Sequence, residues 1–157
     1  TMTFLKKTDQ DFVRTKDKTE MLLFKTSGLT LGAVIHHQKH AFHGQLKRTV
    51  PGELILVSKN VKDCRKDKRQ IQYIMYLEAL RVTSHAEIEI YWPGNFGRWK
   101  YIVDCYDTTP LQQPFNLHDL LDYNETRVYK NVTPAMKIRP EHEILILNYL
   151  RQTGAIH

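Results

Sequence analysis

The sequence predicts a small α+β domain, a twisted β-barrel of five to six strands flanked by helices and closed by a C-terminal helix. Three observations carry this. The apolar runs are of strand length and follow one another across tight turns such as Pro51-Gly52 and Pro93-Gly94-Asn95. The runs differ in pattern, some continuous and some alternating, as in a curved sheet covered unevenly on its two faces. Residues 140–154 carry a complete set of helix start and stop signals.

Residues 1–20 are polar and weakly periodic, which predicts an N-terminal arm or helix lying on a domain spanning 21–157. Met21-Leu22-Leu23-Phe24 reads as a buried strand, stopped by Lys25-Thr26-Ser27-Gly28. Leu29 to His40 reads as a helix through Leu29, Ala33, Val34 and Ile35. Pro51-Gly52 turns the chain into a strand over 53–58. Residues 70–82 form a long strand, and Ala86 to Trp92 alternates polar and apolar residues as a half-buried strand would. After the Pro93-Gly94-Asn95 turn, Trp99 to Tyr106 is the next strand, ended by Asp107-Thr108-Thr109-Pro110. Phe115 to Leu121 is a short strand or a helical turn. In the last helix Pro140 occupies the first turn, Glu141 and Glu143 complement the dipole, and Ile144, Leu145, Leu147 and Leu150 make the packing face. Arg151 and Gly154 end it.

At 157 residues the chain suits one domain. With 41% hydrophobic and 25% charged residues, it has the balance of a globular protein rather than a disordered one. No apolar run reaches the roughly 20 residues that span a bilayer. The N-terminus lacks the apolar stretch of a signal peptide, so a cytoplasmic location is expected, with no membrane partner. Cys64 and Cys105 form no CxxC pair and read as reduced, idle thiols. The net charge of +6 is unevenly spread. Residues 59–70 hold six basic side chains (Lys59, Lys62, Arg65, Lys66, Lys68 and Arg69) against Asp63 and Asp67. Such a segment is either a solvated loop or a track for phosphates.

Three other clusters invite chemistry. His36 and His40 stand i,i+4 with His37 and His43 nearby, a spacing able to hold a transition metal on a helix. No HExxH glutamate and no neighbouring thiolate or acid accompanies them, so no metal or other cofactor is expected. Glu87 and Glu89 with Asp104 or Asp107 could form a metal nuclease centre, but their alternation with Ile88 and Ile90 assigns them to a solvent face. There is no GxSxG, Walker A or GxGxxG motif, and no catalytic residue is assigned. The segment Tyr91-Trp92-Pro93-Gly94-Asn95-Phe96-Gly97-Arg98-Trp99 places four aromatics in nine residues. Trp99 suits the core. Trp92 and Phe96, at a turn, are either a lid on the barrel end or the wall of a flat-ligand pocket, where stacking on a base is worth about 1–3 kcal/mol.

In order along the chain, Leu23 to Ser27, Pro51 to Ser58, Gln72 to Val82, Gly97 to Asp104, and Arg127 to Asn131 followed by Pro134 to Leu150 resemble the strands and closing helix of EVE and YTH domains of the PUA-like superfamily. The resemblance covers about residues 21–150. It implies a PUA-like barrel with a pocket for one modified base, as in domains found N-terminal to modification-dependent restriction GTPases. Carried over, Trp92 falls in the loop that supplies cage aromatics, Phe42 matches a cage position after the first helix, and Lys25, Thr26 and Ser27 line the floor. Tyr91 and Asn95 join them as base-binding candidates. The three-tryptophan cage of the YTH group is not matched, since the chain has two tryptophans. The expectation is therefore a non-catalytic reader. It would extrude a modified, methylated base of DNA into an aromatic pocket and hold phosphates with the basic segment. A fused or separate nuclease or GTPase would be its effector. An RNA-binding reader of the same superfamily is the alternative, followed by a histidine-dependent metal hydrolase and by a protein-interaction module.

Overall fold

The computed structural model describes residues 21–26, 28–44, 46, 49–59, 70–95, 97–129 and 135–157. The expected arm over 1–20, together with Ser27, Phe96 and all of the basic segment except Lys59, lies outside them. The order is β1 (Met21–Thr26), α1 (Gly28–His37), β2 (Lys39–Phe42), β3 (Leu54–Lys59), β4 (Ile71–Val82), α2 (His85–Tyr91), β5 (Tyr101–Phe115), α3 (Tyr123–Thr126), β6 (Ala135–Lys137) and α4 (Pro140–Gln152). Single 3₁₀ turns cover Leu117–Asp119 and Arg127–Tyr129. The strands form one sheet in the order β2-β5-β4-β3-β1-β6. Among the described strands only β1 and β3 run parallel, and α1 and β2 lie between them in the chain, as a parallel crossover requires. The sheet is a curled half-barrel, and this is the α+β architecture expected from the sequence.

Side chains alternate across the sheet and divide the core. Met21, Leu23, Leu54, Leu56, Ile74 and Phe115 pack beneath Ile146 and Leu150 of α4. Leu22, Phe24, Ile55, Val57, Met75, Leu77 and Val103 face the other way, against Val34 of α1. Every residue of β1 is buried, because both of its faces are covered. Ala41, Ile88, Trp92, Trp99 and Ile102 make a smaller third cluster beneath α2.

Four elements differ from expectation. Residues 86–92 are helical, not a strand. The Ser84 side chain accepts the Glu87 backbone N–H at 3.2 Å and caps α2. Of the two isoleucines that suggested alternation, Ile88 is fully buried but Ile90 is 70% exposed. The first helix stops at His37, and His40 lies on β2. Gln38 adopts φ 54°; its carbonyl accepts from Cys105 N and its side chain from Thr108 N, both at 2.9 Å. The strand after Trp99 runs to Phe115. At Asp107 the backbone turns to φ 54° and the chain then continues past Pro110, with the β4–β5 pairing shifted at three places. On α4, Ile144 and Leu145 are exposed and His142 takes a place on the buried face beside Ile146 and Leu150. The Tyr129 hydroxyl accepts from Arg139 N at 2.9 Å and lies 2.6 Å from His142 Nδ1, whose ring reaches Glu125 through Nε2 at 3.4 Å. No helix among the described residues is long and apolar enough to cross a membrane.

Candidate nucleic-acid interface

The parallel pair β1 and β3 ends side by side, with Lys25 opposite Ser58 and Thr26 opposite Lys59. Thr26 is fully buried, and its hydroxyl donates to the Ser58 carbonyl at 3.1 Å, pinning the two strand ends together. Alternation sends Lys25 to the opposite face from Thr26. Its ammonium nitrogen lies 3.5 Å from Met136 Sδ, and the residue is 4% exposed. Burial penalises the charged form and brings its pKa down to about 8. The chain between Lys59, which ends β3, and Gln70 is the basic segment. It therefore begins and finishes at the end of the sheet that holds Lys25 and Thr26.

Curling brings a second feature to the same domain. Edge strand β2 is four places from β1 in the sheet, yet its rings meet Phe24 of β1. Phe42 lies 5.0 Å from Phe24, edge to face, and His40 lies 5.2 Å from it. His40 and Phe42 stack on each other at 4.4 Å with an interplanar angle of 15°. No backbone ladder joins β1 to β2, so these rings close the seam of the half-barrel. Burial pushes the His40 pKa down to about 4, against a smaller opposing effect from its bond to the Ala41 carbonyl.

The expected cage does not come together around one space. Trp92 follows the last turn of α2 and is 2% exposed, edge to face with Trp99 at 5.2 Å. It packs on the side of β2 that carries Ala41, whereas the neighbouring Phe42 points into the other cluster. Successive side chains of a strand point to opposite faces, so Trp92 and Phe42 do not wall one pocket. The tryptophan expected at an exposed turn is a core residue, held there because Ile88 and Trp92 stand i,i+4 on the buried side of α2. Tyr91 is half-buried, with His37 at 5.2 Å and the Lys39 ammonium 5.4 Å from its ring centre. Asn95 caps its own turn, its amide donating to the Trp92 and Pro93 carbonyls and its oxygen accepting from Arg98.

Sequence reading missed an ionic network in which Tyr91 takes part. Arg81 donates to both oxygens of Glu87 at 2.7 Å and to Asp104 at 2.7 and 3.2 Å, while Lys39 donates to Asp104 at 2.6 Å. Thr83 adds a hydroxyl bond to Glu87 at 2.6 Å. Asp104 would be raised by its partial burial, but the bonds from Arg81 and Lys39 outweigh this and hold its carboxyl below the usual range. The arginine likewise lowers Glu87. The sequence signal was the lone acid in Ile102-Val103-Asp104-Cys105, an acid that an otherwise apolar strand must pair. Glu87 is thus committed to a structural clasp, not to an open carboxylate pair.

The histidines do not share a helix face. His36 and His37 end α1 in solvent, His40 is buried on β2, and His43 is exposed beyond it. Among the described residues no group of three or more His, Cys, Asp or Glu is placed to hold a metal. Burial pushes the Cys105 thiol up to about 12, in keeping with an idle thiol.

No protein-family model matches the sequence, and no curated protein matches it at a significant level. Solved structures do match. ASCH from Zymomonas mobilis superposes with a TM-score of 0.52 at 13% identity, over 82% of this chain and 94% of that one. A tyrosine-to-phenylalanine mutant of the same protein gives 0.55 at 14%, over 82% and 97%. A serine-to-alanine mutant gives 0.57 at 11%, over 83% and 96%. The fold is PUA-like. Within it the neighbours are ASCH structures, where the sequence pointed to EVE and YTH domains. At these identities of 11–14% the likeness is one of chain path.

Proposed function

We propose that this PUA-like chain is a nucleic-acid-binding module, without catalysis of its own, whose contact surface is the end of the sheet where β1 and β3 finish. The observation that carries the reading is the origin of the basic segment at that end, beside Lys25 and Thr26. Cations there release counterions from a phosphate backbone and supply affinity that is indifferent to sequence. A base-contacting surface must supply the selection.

The finer reading is that the ligand is DNA carrying a modified, methylated base, and that an effector nuclease or GTPase is recruited to it. With Trp92 in the core, the seam between β1 and β2, where Phe42 meets Phe24, is the aromatic site we assign to such a base. Phe42 is 3% exposed, so a base enters only as the seam side chains part. Titration by fluorescence anisotropy with DNA and RNA oligonucleotides, each with and without N6-methyladenine, tests both levels. Salt-dependent binding of any of them supports the module, and tighter binding of methylated DNA supports the finer reading. Absence of binding to all four at low salt overturns both, and equal affinity for methylated and plain DNA overturns the finer one.

A further inference from the structure

The His40 ring is 2% exposed, and its two nitrogens differ in their surroundings. Nδ1 lies 3.2 Å from the Ala41 carbonyl, which only accepts, so Nδ1 carries the proton. The burial that keeps the imidazole neutral leaves Nε2 as a bare lone pair. Nε2 has no hydrogen-bond partner among the described residues. A buried acceptor in that condition is unusual in a folded protein and calls for a donor. Its position is equally specific. It sits on an edge strand, at the seam where β1 and β2 meet through rings with no ladder between them. Phe42 stacks parallel to the imidazole at 4.4 Å and covers one of its faces, so a donor reaches Nε2 in the plane of the ring.

We propose that His40 is a specificity-determining residue, its Nε2 accepting a hydrogen bond from the exocyclic amino group of a nucleobase inserted at the β1–β2 seam. The inference rests on the nucleic-acid reading above and narrows it to bases with an exocyclic amino group, which excludes thymine and uracil. Bases that offer a carbonyl at that place would set oxygen against the lone pair and be rejected. An N6-methylated adenine retains one N–H and remains acceptable.

The experiment compares two single-stranded DNA octamers, one with a central adenine and one with unsubstituted purine, which lacks the amino group. The wild-type chain is expected to favour adenine by about tenfold, the scale of one hydrogen bond. His40→Phe is expected to abolish the preference by weakening adenine more than purine, and His40→Gln, which restores an acceptor, to recover part of it. In the ¹⁵N-labelled wild-type chain, the Nε2 resonance should move from its free-lone-pair position on addition of the adenine octamer and stay in place with the purine one. That readout needs no variant and decides the matter if His40→Phe fails to fold. A wild-type chain that binds both octamers equally, a preference that survives in His40→Phe, or an unmoved Nε2 resonance overturns the role of His40. Failure of both octamers to bind, as DNA and as RNA, overturns the nucleic-acid reading itself.

Discussion

Lys25 and Trp92 were both expected to meet a ligand, and burial gives each a different energetic meaning. Trp92 belongs to the cluster of Ala41, Ile88, Trp99 and Ile102. Trp92→Ala is therefore expected to cost about 3–5 kcal/mol of stability, as large aromatic truncations in a core do, and to lower the urea midpoint in a chemical melt. A melt that hardly moves would return Trp92 to the role of a ligand wall. Lys25 works in the opposite sense. Its folded pKa, about 8, lies below the ordinary lysine value of 10.5. Between the two the unfolded chain binds the extra proton, so stability falls as pH drops from 10.5 to 8, and the full penalty persists below that. Lys25→Met should thus gain about 1–3 kcal/mol at pH 7 and lose the slope between pH 8 and 10.5. Urea melts at pH 7 and pH 10.5 check this. On the nucleic-acid reading, the same variant should weaken oligonucleotide binding.

At the scale of elements, the ionic clasp explains how a seven-residue helix holds its place. Arg81 comes from β4, Glu87 from α2, Asp104 from β5 and Lys39 from β2, so the network ties α2 to three strands at once. Surface ion pairs contribute little singly, but here Asp104 is shared by two cations and partly buried. Asp104→Asn should cost about 1–3 kcal/mol, and the loss should appear as accelerated amide exchange over α2. Both acids have folded pKa values below their ordinary ones. Their contribution is whole above about pH 5 and disappears as pH falls through the depressed values. Acid melts of the wild type should therefore show a loss in that window that Asp104→Asn shows in smaller measure. The same clasp accounts for the failure of the strand expectation over 86–92. Glu87 alternates with isoleucine in sequence, but Arg81 and the Ser84 cap decide its conformation.

For the whole molecule, the division of labour between a charged segment and a buried seam has a thermodynamic signature. If three to four of the cations between Lys59 and Arg69 meet phosphates, the logarithm of the binding constant should fall against the logarithm of salt with a slope of about −3 to −4. Reversing Arg65 and Lys66 to Glu should flatten that slope and weaken modified and unmodified DNA alike, because phosphate contacts carry no base information. Unchanged affinity and slope after the reversal would make the segment a solvated connection between β3 and β4.

The strands read at 21–24, 53–58 and 70–82, the C-terminal helix and the broad PUA-like order were legible in the sequence, although β1 runs on through Lys25 and Thr26, which read as its stop. Each depends on local signals: continuous apolar runs, a Pro-Gly turn, a proline in the first helical turn. The acquisition of a sheet edge by residues 39–42 was not legible, since Gln38 leaves the helix only because Thr108 and the Cys105 amide, distant in sequence, bind it. Nor could the sequence tell which aromatics share a space. The resemblance to EVE and YTH domains put Phe42 and Trp92 in one cage. Yet the face that each occupies depends on the curl of the sheet, which places Phe42 against Phe24 and leaves Trp92 behind Ala41. Local chemistry determines what an element is. Only the closure of the sheet decides which side chains end up facing one another, because that depends on the summed twist of all six strands.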